Sequence, residues 1–263
     1  MHFTKMHGLG NDYLYVFGEV PENIAELSVK LSDRHFGAGS DGMIYISESD
    51  IADFKMRIFN ADGSEAKMCG NGIRCVGKYV YDKGYTTKTN ITVETLSGIK
   101  TLKLNVTDGE VHSAVVDMGN VTVGKETDLI LLGQGFTVLP VSVGNPHAVM
   151  FVEDAERVAV ETIGPIIEKD PHFPDGVNAE FVEVRGRNEL RMRVWERGSG
   201  ITMACGTGAC ASAAAAVRQG YCDYDTPIKV MLDGGPLEIT VSRDFNVSMD
   251  GPASLVYEGE VEI

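Results

Sequence analysis

The sequence contains no stretch long and apolar enough to cross a membrane, and its opening residues, Met1 to Gly10, lack the apolar core of a secretory signal. The protein is therefore expected to be cytoplasmic. Basic residues are scarce: 23 Lys and Arg against 38 Asp and Glu leave a net charge of −15. Such a surface repels nucleic acid and anionic membranes, so neither is expected as a partner. The five cysteines (Cys69, Cys75, Cys205, Cys210, Cys222) are odd in number and include no C-x-x-C pair. Neither a disulfide framework nor a zinc site is signalled. There is no low-complexity segment and no long linker. What remains is a composition of 43% hydrophobic and 23% charged residues, that of a globular chain able to bury a core.

The main positive feature is a stretch that occurs twice. Met56 to Tyr85 aligns without a gap to Met192 to Tyr221 at an offset of 136, with seven identities: Met, Arg, Cys, three Gly and Tyr. In each copy an apolar run reads as a strand and a polar loop follows. Cys-Gly-x-Gly then opens a helix that closes at Gly84 or Gly220, where a C-terminal glycine cap belongs. A fainter echo at an offset of 134 relates Gly10-Asn11-Asp12-Tyr13 to Gly144-Asn145-Pro146-His147, and Asp41-Gly42 to Asp175-Gly176. The chain reads as two homologous lobes.

Along the chain, strands are expected in residues 1–17, broken at Gly8 to Asp12, and a helix from Pro21 to His35. Further strands are expected at Met43–Ser47 and Asp53–Phe59. After the Cys69 helix come hairpins with turns at Ser97-Gly98 and Asp108-Gly109. A helix over Ala155–Lys169 is expected to break or kink at Gly164-Pro165. Many short strands with about one central helix per lobe give an α+β class. The lobes are residues 1–118 and 119–252, with a terminal strand at about 253–263 that returns to the first lobe. The last strands are also candidates for pairing two copies into a homodimer.

Each repeat delivers one cysteine, Cys69 or Cys205, to a helix N-terminus, where unpaired N–H groups favour an anion. A lowered thiol pKa is expected there. Cys75, Cys210 and Cys222 fall inside or after apolar helix and read as ordinary buried thiols. A thiolate and a thiol on opposite sides of a bound molecule form a base and an acid, which suits inversion at a carbon bearing an acidic proton. Gly70, Asn71, Gly206 and Thr207 are the natural N–H donors for a carboxylate on that carbon.

Asn60-Ala61-Asp62-Gly63-Ser64, Met68-Cys69-Gly70-Asn71-Gly72, Gly144-Asn145-Pro146-His147, Glu196-Arg197-Gly198 and Ala204-Cys205-Gly206-Thr207-Gly208-Ala209 together resemble the diaminopimelate epimerases, over nearly the whole chain. The resemblance implies a fold of two lobes, each a β-barrel-like antiparallel sheet around a central helix, with the active site between them. It implies a cofactor-independent epimerase, free of pyridoxal phosphate and metal, that interconverts LL- and meso-2,6-diaminopimelate for lysine and peptidoglycan synthesis. It further implies Cys69 and Cys205 as the acid–base pair, and His147 and Glu196 as the residues that tune them. Asn11, Asn60, Asn145, Asn178 and Arg197 would grip the substrate, and Glu196 its ammonium. Gly42 and Ile201 depart from common family residues. A proline or hydroxyproline racemase of the same fold, and a non-catalytic amino-acid-binding protein, stand as alternatives.

Overall fold

The computed structural model describes residues 1–262. The chain divides into two compact units, Met1–Asp117 together with the segment from Gly251 onward, and Met118–Asp250. Among the described residues there are four α-helices: α1 (Ile24–Ser32), α2 (Gly70–Asp82), α3 (Val160–Glu168) and α4 (Gly206–Arg218). No helix among the described residues is long and apolar enough to span a membrane.

In the first unit, strand His2–Gly8 pairs antiparallel with both Asn11–Phe17 and the terminal strand Ser254–Glu260. The chain then crosses through α1 to place Gly42–Ser47 parallel to Asn11–Phe17. Phe54–Asn60 pairs antiparallel with Gly42–Ser47, and a second crossover through α2 sets Asn90–Thr95 parallel to it. Hairpins then add Gly98–Thr107 and Glu110–Asn120. The second unit repeats this order: Gln134–Ser142, Pro146–Val152, α3, Asn178–Gly186, Glu189–Glu196, α4, Ile228–Leu232, Gly235–Val241. Again the two strand pairs bridged by helices are parallel and the rest antiparallel. The sheets are therefore mixed, against the expectation of antiparallel ones. A strand that follows a helical crossover re-enters in the same direction as the strand it left.

The helices are buried to different depths. α1 lays Ile24, Leu27 and Leu31 on Leu14, Met43 and Phe59 and leaves its other face in water. α2 is buried from Gly70 to Val80, and α4 from Gly206 to Val217 except Thr207. α4, built largely of alanine, belongs inside on that account, whereas α2 takes Asn71, Arg74 and Lys78 in with it, each hydrogen-bonded to the protein. The alanines of α4 leave room for the strands packed around it.

The helix expected over Ala155–Lys169 breaks earlier than expected. A short 3₁₀ turn, Ala155–Arg157, precedes α3, and Gly164-Pro165 lies within α3. Glycine is required there for packing: a Cβ at Gly164 would stand 2.4 Å from Trp195 Cβ.

Candidate functional site

Cys69 is the N-cap of α2, in an extended conformation (φ −141°, ψ 113°) that turns its side chain back over the first turn. Its sulfur accepts from the Gly72 N–H at 3.3 Å, and its thiol donates to Asn11 Oδ1 at 3.2 Å. Asn11 is fixed from behind, because its Nδ2 donates to Asp41 at 2.7 Å. Asp41 also engages Arg34, which pairs with Asp12, itself 2.9 Å from Lys5. The Asn60 turn joins the same cluster, since the Ala61 N–H donates to the Asp41 carbonyl and Asn60 sits opposite Gly42. Beneath the helix, the fully buried Arg74 donates to the Gly70 carbonyl at 3.0 Å, to Asn71 Oδ1 at 3.1 Å and to the Pro252 carbonyl at 3.2 Å. Asn71's side chain is thus committed to the protein, and only its backbone N–H answers the role expected of it.

Cys205 is likewise the N-cap of α4, extended at φ −119°, ψ 103°. Here a chain of hydrogen bonds leads to the sulfur. Asn145 Nδ2 donates to Thr207 Oγ1 at 3.3 Å, and the Thr207 hydroxyl lies 3.6 Å from Cys205 Sγ, with either able to donate to the other. The Asn145 Oδ1 therefore faces His147 Nε2 at 3.1 Å, and since an amide oxygen only accepts, Nε2 carries a hydrogen. The other ring nitrogen, Nδ1, lies 2.6 Å from Glu180 Oε1, and both side chains are wholly buried. One proton is shared across that short contact.

Glu196 accepts from the Thr202 hydroxyl and is close enough to Cys205 to act on its charge. Asn178 pairs in register with His147, and its Oδ1 accepts from the Arg197 N–H at 2.8 Å. The Arg197 guanidinium donates to the Asp175 carbonyl at 2.6 Å. With Glu168, Asp175 and Gly176 it lines an open depression of about 350 Å³ that neither Cys205 nor His147 lines.

The expected lowering of the thiol pKa does not appear. Burial pushes the Cys69 thiol up, while the Gly72 N–H, the Tyr13 hydroxyl and the Arg74 charge pull it down by less. Burial pushes Cys205 up further, and the Glu196 and Glu180 carboxyls add to the push. Desolvation of the thiolate outweighs the few N–H groups of a helix end. Cys75 is pushed up to about 11 by its burial, in keeping with an inert structural thiol.

The residues expected at the site thus gather into two groups. Asn11, Asn60, Cys69, Gly70 and Asn71 meet in the first unit. Asn145, His147, Asn178, Glu196, Cys205, Gly206 and Thr207 gather in the second, whereas the Arg197 guanidinium turns to the Asp175 carbonyl and the depression beside it. Sequence reasoning missed Asp41 as the anchor of Asn11, and it missed Glu180 altogether. Among the described residues no cluster of three or more His, Cys, Asp or Glu side chains is arranged to hold a metal.

A solved structure of similar fold is a probable proline racemase from Agrobacterium radiobacter with bound carbonate: TM-score 0.74, 16% identity, 100% of this chain and 93% of that one covered. At that identity the likeness is one of fold. The class is a duplicated α+β fold, shared with a racemase, in which each half offers a thiol at the head of its buried helix. The profile of the diaminopimelate epimerases matches residues 3–124 and 139–256. A diaminopimelate epimerase from Acetivibrio thermocellus is 52% identical over 279 positions, covering 100% of this chain and 99% of the relative. One from Bacillus licheniformis is 51% identical, covering 98% and 97%. This chain belongs to the diaminopimelate epimerase family.

Proposed function

We propose that the protein interconverts LL- and meso-2,6-diaminopimelate in the cytoplasm, with Cys69 and Cys205 as the two proton-transfer groups and no cofactor. The observation that carries this reading is the matched pair of thiols. Each caps a buried helix, and each is hydrogen-bonded to polar side chains, in a chain belonging to this family.

The chemistry is balanced within the pair. One sulfur, as thiolate, takes the α-proton from one face of the carbon, and the other delivers its thiol proton to the opposite face. The enzyme is left with its one proton on the other sulfur, ready for the reverse reaction. The reading requires both thiols to reach one carbon from opposite sides. Negative charge growing on the substrate carboxylate is met by first-turn N–H groups, from Gly70 and Asn71 or from Gly206 and Thr207. Glu196 takes the ammonium of the reacting centre. Asn60 and Arg197 serve the distal amino-acid end.

The test is solvent exchange in deuterated water without pyridoxal phosphate. LL-diaminopimelate, meso-diaminopimelate and L-proline are each offered separately. Deuterium should enter the α-position of diaminopimelate as the other isomer forms, and Cys69→Ala and Cys205→Ala should each abolish epimerisation. Exchange into proline alone would transfer the protein to a racemase activity, and exchange into none would end the catalytic reading.

A further inference from the structure

The duplication supplies an internal control for each half of the site. Leu14 pairs with Met43 and Tyr15 with Ile44 in the first unit; Ala148 pairs with Ala179 and Val149 with Glu180 in the second. These pairs superpose in sequence at offsets of 134 and 136, so Glu180 is the counterpart of Ile44 and His147 of Tyr13. The two counterparts occupy the same place under their helices. A Cβ on Gly72 would stand 2.7 Å from Ile44 Cδ1, and a Cβ on Gly208 would stand 2.8 Å from Glu180 Oε1. Where one unit puts a methyl group beneath the first turn, the other puts a carboxyl. That same point above Gly208 is 3.2 Å from Cys205 Sγ, so the carboxyl and the thiol converge on one glycine.

We propose that Glu180 is a positioning residue that holds Cys205 in its protonated, thiol form and so makes the two otherwise matched cysteines unequal. A carboxyl in a dry site beside a sulfur makes thiolate formation there costly. Three titratable groups stand on the strands around Cys205: Glu180 on Asn178–Gly186, Glu196 on Glu189–Glu196, and His147 on Pro146–Val152. Two are acids. The third, His147, turns one nitrogen to Glu180 and the other to Asn145, so its ring is not directed at the sulfur. Arg191, the buried cation on the Glu196 strand, is taken up by Glu156 and Asp233. Glu180 Oε1 shares a proton with His147, and Oε2 has no hydrogen-bond partner in the protein. Cys69 has no acid in the matching position and has Arg74 below it instead. Burial and the two carboxyls shift the Cys205 thiol in the direction this arrangement demands.

The inference rests on the reading of Cys205 as a proton-transfer thiol, but its test does not depend on activity. The full-length protein is prepared with isotope-labelled cysteine β-carbons, and each thiol is titrated by NMR, with assignments from Cys69→Ser and Cys205→Ser. In the unaltered protein Cys205 should titrate above Cys69. Glu180→Gln should lower the Cys205 midpoint by about one pH unit or more and leave Cys69 in place. Glu180→Asp, which keeps the charge, should stay near the unaltered value. A residue needed only for packing would not separate Gln from Asp in this way. Should Glu180→Gln fail to fold, Glu180→Ile, the residue the other unit uses, carries the same expectation. A Cys205 midpoint that is unmoved or raised in a folded, uncharged variant overturns the proposal. So does a Cys205 that stays protonated throughout in both proteins. Absence of diaminopimelate epimerisation by the unaltered protein would end the functional reading and leave this result standing.

Discussion

The Asn11 amide oxygen accepts from the Cys69 thiol at 3.2 Å while its amide nitrogen donates to Asp41 at 2.7 Å. That orientation lets the asparagine recognise S–H and not a bare sulfur, since its only donor points away. It favours the protonated thiol and holds the sulfur still. In Asn11→Ala the Cys69 thiol should alkylate faster at a given pH, because the acceptor that favoured the proton is gone. Epimerisation should nevertheless fall roughly 10- to 100-fold in kcat, as a misplaced base costs more than a larger thiolate fraction gains. Alkylation rate against pH, with kcat measured in parallel, checks both. An unchanged kcat would show the contact to be incidental.

The pH dependence of the reaction follows from the raised thiols. Burial moves both Cys69 and Cys205 upward, the latter further. The working form has one proton over the pair, and the two titrations are coupled. At low pH both sulfurs hold protons and no base exists; at high pH both are thiolates and no acid exists. The profile of kcat/KM should therefore be a bell whose acidic limb lies above neutrality, with rates near pH 6 down by about tenfold or more. A profile flat from acid to alkaline pH would remove thiol titration from the mechanism.

Much of this was legible in the sequence because the chain repeats itself. Cys69 and Cys205 stood out through the Cys-Gly-x-Gly turn and the matched glycine caps, and both are helix N-caps. Glu180 did not. In Asn178-Ala-Glu-Phe-Val, a glutamate in a short strand reads as a solvent-facing residue, yet Ala179, Glu180 and Phe181 are all buried, since both faces of this strand are covered. The signal available was the repeat itself, which sets Glu180 against an isoleucine. Parallel pairing escaped for another reason: composition tells a strand from a helix, but direction depends on where the crossover lands. The thiol shift was misjudged because a helix terminus is visible in a sequence while the depth at which it is buried is not.

At Gly42 the backbone explains why the residue is a glycine. A Cβ there would stand 2.1 Å from the Phe59 carbonyl oxygen, and φ is +154°. Neither obstacle is the flexible end of a side chain, so strand Phe54–Asn60 would have to move away from Gly42–Ser47. Gly42→Ala should cost about 2–4 kcal/mol, read as a lower urea midpoint at unchanged slope. The Asp41 loop would shift with it, so KM should rise as well. A loss below about 0.5 kcal/mol would mean that the two strands accommodate the methyl group.

Arg74 offers the sharpest separation of structural from chemical effects. Its guanidinium is fully buried, and it ties the Gly70 carbonyl, the Asn71 side chain and the Pro252 carbonyl of the returning C-terminal segment to one point. In Arg74→Met the volume is largely kept and those buried acceptors lose their donor, so stability should fall by about 2–4 kcal/mol. The charge also lies below Cys69 and lowers its proton affinity. Its removal should raise the Cys69 midpoint and move the acidic limb of the pH profile to higher pH. Cys205 has no such cation among the causes acting on it, so its titration should stay where it is. Urea denaturation and the two thiol titrations decide the matter together. A loss of stability with both midpoints unmoved would make Arg74 a strut alone, and a shift of both would mean that the substitution had disturbed the fold at large.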